Sequence, residues 1–245
     1  MDEFETFPNP PIAEAMLDIR AIFPAGIDLA TLLSFQDPIR DRFPIKQERI
    51  SQTLQIQSGW NLTPVIGVQG YLFRSADNAK VIQARLDGFT FSKLKPYGTW
   101  KAFRQDAREL WEKYIAVAKP VAVPQIGLRY VNRIEIPHPV KEIRDYLTIF
   151  PEIPSLLPQG VSNFFMRMTV ANPSPDMAAI LTFAMEPIAP ESKVVVFILD
   201  IEVITVATSF SPGSEELWVK MDLLRKLKNQ VFFSSVTEKT RLSFR

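Results

Sequence analysis

Two one-sided helical stripes set the terms for everything else this chain can fold into. Trp100, Phe103, Ala107, Leu110, Trp111, Tyr114 and Val117 recur at spacings of three and four until Pro120 closes the run. Leu217, Met221, Leu224, Leu227 and Val231 repeat the pattern. Glu215 and Glu216 occupy the first turn of that second stripe, where carboxylates suit the positive helix end. A helix with a single apolar stripe needs an apolar surface to lie on. The segments before each stripe alternate apolar and polar residues with a period of two, so the surface on offer is a sheet. The expected fold class is α+β, an antiparallel sheet with helices on one face.

The strand-like segments come in a repeated order. After the stiff lead-in Phe7-Pro8-Asn9-Pro10-Pro11, Ala13, Ala15, Leu17, Ile19 and Ala21 alternate with Glu14, Met16, Asp18 and Arg20. Asp28 is placed to cap a short helix carrying Leu29, Leu32 and Leu33, which Pro38 interrupts. Strand candidates follow at 53–57, 68–74 and 81–92, the last with an Asp87-Gly88 pair read as a bulge. Past the first long helix the order returns. A long strand at 121–136 precedes a short helix with Val140, Ile143 and Leu147, then strands at 164–171, 178–186 and 193–206. Each half, 1–120 and 121–245, therefore reads β-α-β-β-β-α, a tandem duplication in the manner of saddle or helix-grip folds. Pro151, Pro154, Pro158 and Gly160, with Pro137 and Pro139, make a stiff loop around the second short helix.

Composition removes several chemistries. Without cysteine there is no thiol nucleophile, iron–sulfur cluster or thiolate zinc site. The one histidine, His138, sits between Pro137 and Pro139, a setting for a surface loop rather than a catalytic triad. Only 9 glycines occur, and none has the spacing of a phosphate-binding loop or dinucleotide fingerprint. Neither a metal nor a cofactor is expected. A net charge of +1 disfavours nonspecific attraction to nucleic acid or an anionic membrane. The longest apolar stretch, 194–199, is far short of the roughly 20 residues a membrane span needs. The acidic start Met1-Asp2-Glu3-Phe4-Glu5 is unlike a secretory leader, so the expected location is cytoplasmic.

Charge falls at alternating strand positions: Glu14, Asp18 and Arg20, then Gln83, Arg85 and Asp87, then Arg129, Arg133 and Glu135, then Asp200 and Glu202. The plain reading is a solvated sheet face held by cross-strand ion pairs. The sharper reading has Arg20, Arg85, Arg129 and Arg133 converging on a phosphate or carboxylate ligand, with Asp200 and Glu202 offering hard oxygens to a divalent cation. Asn132 shares a side with Ile126, Leu128, Tyr130, Ile134 and Ile136. It is a candidate buried amide, satisfied either by the backbone or by a ligand. Phe89 and Phe91 alternate with Thr90 and Ser92, which favours core packing over base stacking. Trp100, Trp111 and Trp218 read as packing residues in the same way.

Several segments carry a resemblance. Asn9-Pro10-Pro11-Ile12-Ala13-Glu14-Ala15, Asp87-Gly88-Phe89-Thr90-Phe91-Ser92 with Leu94-Lys95-Pro96-Tyr97 and Trp100, and Ile126-Gly127-Leu128-Arg129-Tyr130-Val131-Asn132-Arg133-Ile134 resemble a sporadically distributed prokaryotic family of uncharacterised proteins. The ending, with Asn229, Val231, Phe232, Phe233 and Val236-Thr237-Glu238, fits the same family. That resemblance implies an accessory trait and assigns no catalytic residues. The function expected is a non-catalytic module that binds a ligand, a protein partner or a second copy. The alternatives are an enzyme acting on phosphate esters or nucleotides through the Arg and Asp/Glu set, and a nucleic-acid-binding saddle.

Overall fold

The computed structural model describes residues 4–57, 61–156, 158, 161–171, 176–189 and 191–245, with backbone alone at 51–57, 61–66 and 171. Met1 to Glu3 and Gly160 lie outside the described residues. In chain order the elements are β1 (Ile12–Ile22), α1 (Leu29–Ser34), β2 (Ile45–Gln57), β3 (Asn61–Arg74), β4 (Lys80–Arg85), β5 (Gly88–Leu94) and α2 (Trp100–Ala118). Then come β6 (Ala122–Pro137), β7 (Phe164–Ala171), β8 (Met177–Met185), β9 (Val194–Thr205), α3 (Glu215–Ser235) and α4 (Glu238–Leu242). Among the described residues nine strands form one antiparallel sheet in the order β2-β3-β4-β5-β1-β6-β9-β8-β7. The fold class is α+β. No helix among the described residues is long and apolar enough to cross a membrane.

The chain divides into two compact units. One comprises Met16–Ile126 with Thr208–Leu217, and its core forms where α1 and α2 lie on β3 to β5. Asp28 caps α1, its carboxylate accepting from the Thr31 amide at 2.8 Å. Thr99 caps α2 in the same way, and Lys119 closes it in the left-handed conformation (φ 47°) before Pro120. The α2 stripe of Phe103, Ala107, Leu110, Trp111 and Tyr114 is buried. Ring centroids of Phe89 lie 5.3 Å from Tyr114 and 5.7 Å from Trp111, and those of Phe91 and Phe103 are 5.3 Å apart. The aromatic strand residues are thus core.

The other unit comprises Met1–Ala15, Gly127–Ala207 and Trp218–Arg245. Its core joins Leu128, Tyr130 and Ile134 of β6 to Phe183 of β8, Phe197 and Leu199 of β9, and Trp218, Met221 and Leu224 of α3. Phe183 and Phe197 stack at 5.8 Å. The proline-rich lead-in is tied to the final helix. Phe7 packs edge-on against Phe244, and the Asn9 amide donates to the Phe244 carbonyl at 3.0 Å.

Three local expectations change. The segment 81–92 is not one bulged strand: Arg85 pairs with Gly88 across a two-residue turn, so Leu86 and Asp87 separate β4 from β5. Gly88 allows this with φ +151°, and an added Cβ would stand 2.2 Å from the Ile19 carbonyl oxygen. Four strands therefore lie between α1 and α2, against three between the later short turn and α3. That later turn, expected as a helix around Ile143, is a three-residue 3₁₀ turn at Ile143–Asp145. Finally, β2 begins at Ile45 rather than near 53. Its first half is polar, as suits the edge of the sheet that it forms.

Gly88→Ala is expected to destabilise the chain by more than about 2 kcal/mol, through left-handed strain and the backbone collision together. Gly213→Ala, which meets nothing within 4 Å, should stay within about 0.5 kcal/mol of the parent. Urea denaturation of the two variants measures the difference.

Candidate functional site

The candidate site begins with strand parity. In the first of the two units Ala84 and Phe89 sit opposite each other on the helix side, so Arg85 and Thr90, one residue along, point to the side without helices. Arg85 lies flat across β5, with 8% of its side chain exposed. Its Nη1 donates to Asp18 Oδ1 at 2.8 Å, and its Nε donates to Asp87 Oδ1 at 2.8 Å. The Thr90 hydroxyl donates to the same Asp18 oxygen at 2.6 Å. Arg20 joins from β1, pairing with Asp87 and standing 3.5 Å from Asp18. Burial works against both charged forms. Even so, Asp18 and Asp87 hold the Arg85 guanidinium above its usual pKa, and Arg85, Arg20 and Arg49 hold the Asp87 carboxyl below its own. Two carboxylates and two guanidiniums neutralise one another.

In the other unit Arg129 grips Asp200 in a fork, Nε to Oδ1 at 2.9 Å and Nη2 to Oδ2 at 2.6 Å. Register places Arg129 opposite Glu202 and Val131 opposite Asp200, so the fork is diagonal across the β6–β9 ladder. Its hydrogen bonds to Asp200 raise the Arg129 pKa, with Glu202 and Glu14 adding to the effect. Arg133 pairs with Glu135 on its own strand and lies 3.6 Å from Glu186. Asn132 faces the opposite side and is buried, with its amide donating to the Leu199 carbonyl at 3.0 Å and the Tyr130 carbonyl at 3.3 Å. The backbone, rather than a ligand, uses that donor group.

The structure therefore brings Arg20 together with Arg85, and Arg129 together with Asp200 and Glu202, but every one of these arginines already holds a carboxylate. Among the described residues no group of three or more His, Asp or Glu side chains is placed to hold a metal ion. His138 is exposed in its proline-flanked loop. No family model matches the sequence, and no curated protein matches it.

Two features escaped the strand-by-strand reading. Phe165 on β7 is 73% exposed. Register places Arg133 opposite Ile198, Ile198 opposite Ala184, and Ala184 opposite Phe165, so an apolar row runs across β9, β8 and β7. The adjacent pair Phe164-Phe165, apolar on both sides of one strand, was the available signal. The second feature is Lys228, which falls on the buried stripe of α3, seven residues after Met221. Its Nζ lies 4.2 Å from the Tyr130 ring centroid. Burial, helped by Arg225, lowers its pKa from 10.5 to about 7.

The Lys228 shift has a definite sign. The unfolded chain holds this proton more tightly than the folded one, so stability rises as pH climbs from about 7 towards 10.5. Between pH 7 and about 9.5 the wild-type chain should gain about 3 kcal/mol from this group. Lys228→Met should be more stable at pH 7 and should lack that gain. Urea denaturation of both proteins at the two pH values is the check.

Proposed function

We propose that the chain is a non-catalytic interaction module that receives a protein partner on the outer strands β7 and β8. The observation that carries this reading is Phe165, largely exposed at the end of an apolar row on the side of the sheet away from Lys228 and α3. A large aromatic ring left in water on a strand is a poor core residue and a good anchor for a partner. The charged positions support the reading from the other direction. Arg20, Arg85, Arg129 and Arg133 each pair with a carboxylate among Asp18, Asp87, Asp200, Glu135 and Glu186. An anion arriving there would have to compete with a fixed negative charge, even at the Arg85 Nη2 group that has no hydrogen-bond partner. They act as cross-strand fasteners.

The repeated order of strand, short turn, antiparallel strands and long helix supports a tandem duplication with halves at 1–120 and 121–245. On this reading the extra hairpin strand of the first half is a later elaboration. The segments that resemble the sporadic prokaryotic family fall on β1, β5, β6 and the end of α3. Of the paired charges, Asp87 lies in the second of these segments, Arg129 and Arg133 in the third, and Glu238 in the last.

Native mass spectrometry of the protein freshly purified from its own host tests the proposal. A second chain should be attached, and Phe165→Asp should remove it, whereas Arg129→Gln should not. A bound small anion or metal, lost with Arg129→Gln or Asp200→Asn, would overturn the proposal in favour of a ligand site.

A further inference from the structure

Resting on that interaction reading, we propose that the partner is a second copy of this chain, paired antiparallel along the free edge of β7 about a two-fold axis at Met168. Among the described residues β7 pairs only with β8, through an eight-residue register without a shift. No backbone hydrogen bond from 164–171 reaches any other described residue. About half of its N–H and C=O groups therefore point outward without a partner strand, which is the template for strand addition.

The two edges of the sheet are not alike. β2 carries Lys46, Glu48 and Arg49, and its ladder with β3 slips between Arg49 and Ile50. Charges and a bulge are the usual defences of an edge against pairing. β7 has neither bulge, proline, glycine nor lysine, and Arg167 is its single charge. Phe165 and Val170 are both exposed on it. One edge is defended and the other is left open.

The sequence of β7 also selects the register. Antiparallel partners share a sheet face only when their residue numbers sum to an even value, so a two-fold axis must fall on a residue. An axis at Arg167 would set two guanidiniums directly opposite each other. An axis at Met168 sets Arg167 opposite the partner's Thr169 and Met166 opposite the partner's Val170, with no like charges facing and residues 165–171 all paired. An axis at Met166 or Thr169 also separates the guanidiniums but pairs only 164–168 or 167–171. A second copy brings a strand that is already ordered, of matching length and equally undefended. A flexible peptide would first have to lose its conformational entropy. The contact is isologous, which closes at two chains.

Sedimentation equilibrium of the full chain tests this pairing. The wild type should be a dimer. Thr169→Arg, at an exposed position, puts a second guanidinium opposite Arg167 on both sides of the axis and should weaken the dimer about tenfold. Adding Arg167→Glu to Thr169→Arg should restore it, because each new carboxylate then faces a new guanidinium. A dimer constant unmoved by Thr169→Arg, or not restored by the double change, overturns the pairing. So does a wild-type chain that stays monomeric at about 100 µM. In that last case the broader interaction reading survives only if native mass spectrometry finds a different protein chain that Phe165→Asp removes.

Discussion

A guanidinium buried to the extent of Arg85 persists only where carboxylates meet it, and that requirement organises the sheet around it. Asp18 from β1 and Asp87 from the turn after β4 both reach the same side chain, and Thr90 from β5 completes the set. Removing one partner would leave the others charged and poorly solvated, a far larger cost than the pair contributes when intact. Gly88 belongs to the same arrangement. Its missing side chain leaves room for the β1 backbone, while the Tyr114 hydroxyl from α2 donates to the carbonyl pair of Arg85 and Gly88 at 3.1 and 3.2 Å. The helix, the hairpin and the first strand meet at one turn.

The same economy applies around Arg129. A fork to Asp200, with Glu202 opposite, sets Arg129 Nε and Nη2 on a carboxylate of the chain itself and sets both Asp200 oxygens on a guanidinium. On the proposed reading, what this part of the molecule offers to another protein is shape: an exposed phenylalanine and an edge strand with a single charge. Strand addition suits such a surface, since backbone hydrogen bonds supply affinity and a few side chains set the register.

Much of the architecture was legible in the sequence because it rests on periodicity. The stripes from Trp100 and from Leu217, the Asp28 cap, and the strands around Ala13–Ala21, Phe164–Ala171 and Lys193–Val206 all follow from local pattern. The hairpin at Leu86-Asp87 did not, because an Asp-Gly pair marks both bulges and turns, and only the Arg85–Gly88 pairing separates them. The charged residues were identified by parity, yet whether they face a ligand or one another depends on which strands become neighbours. Sequence order does not dictate that β1 sits between β5 and β6. Lys228 was hidden by its type, since a lysine is assumed to be wet until the stripe it occupies is shown to be buried.

On the proposed reading the arginines of the sheet are fasteners and not receptors. The most direct measurement is a nitrogen-15 NMR titration of the arginine side-chain Nε–H signals with inorganic phosphate and then magnesium. Internally paired guanidiniums predict Arg85 and Arg129 signals that move no more than the general salt response. A saturable shift at Arg129, with release of its bond to Asp200, would contradict the claim and make that strand pair a binding site.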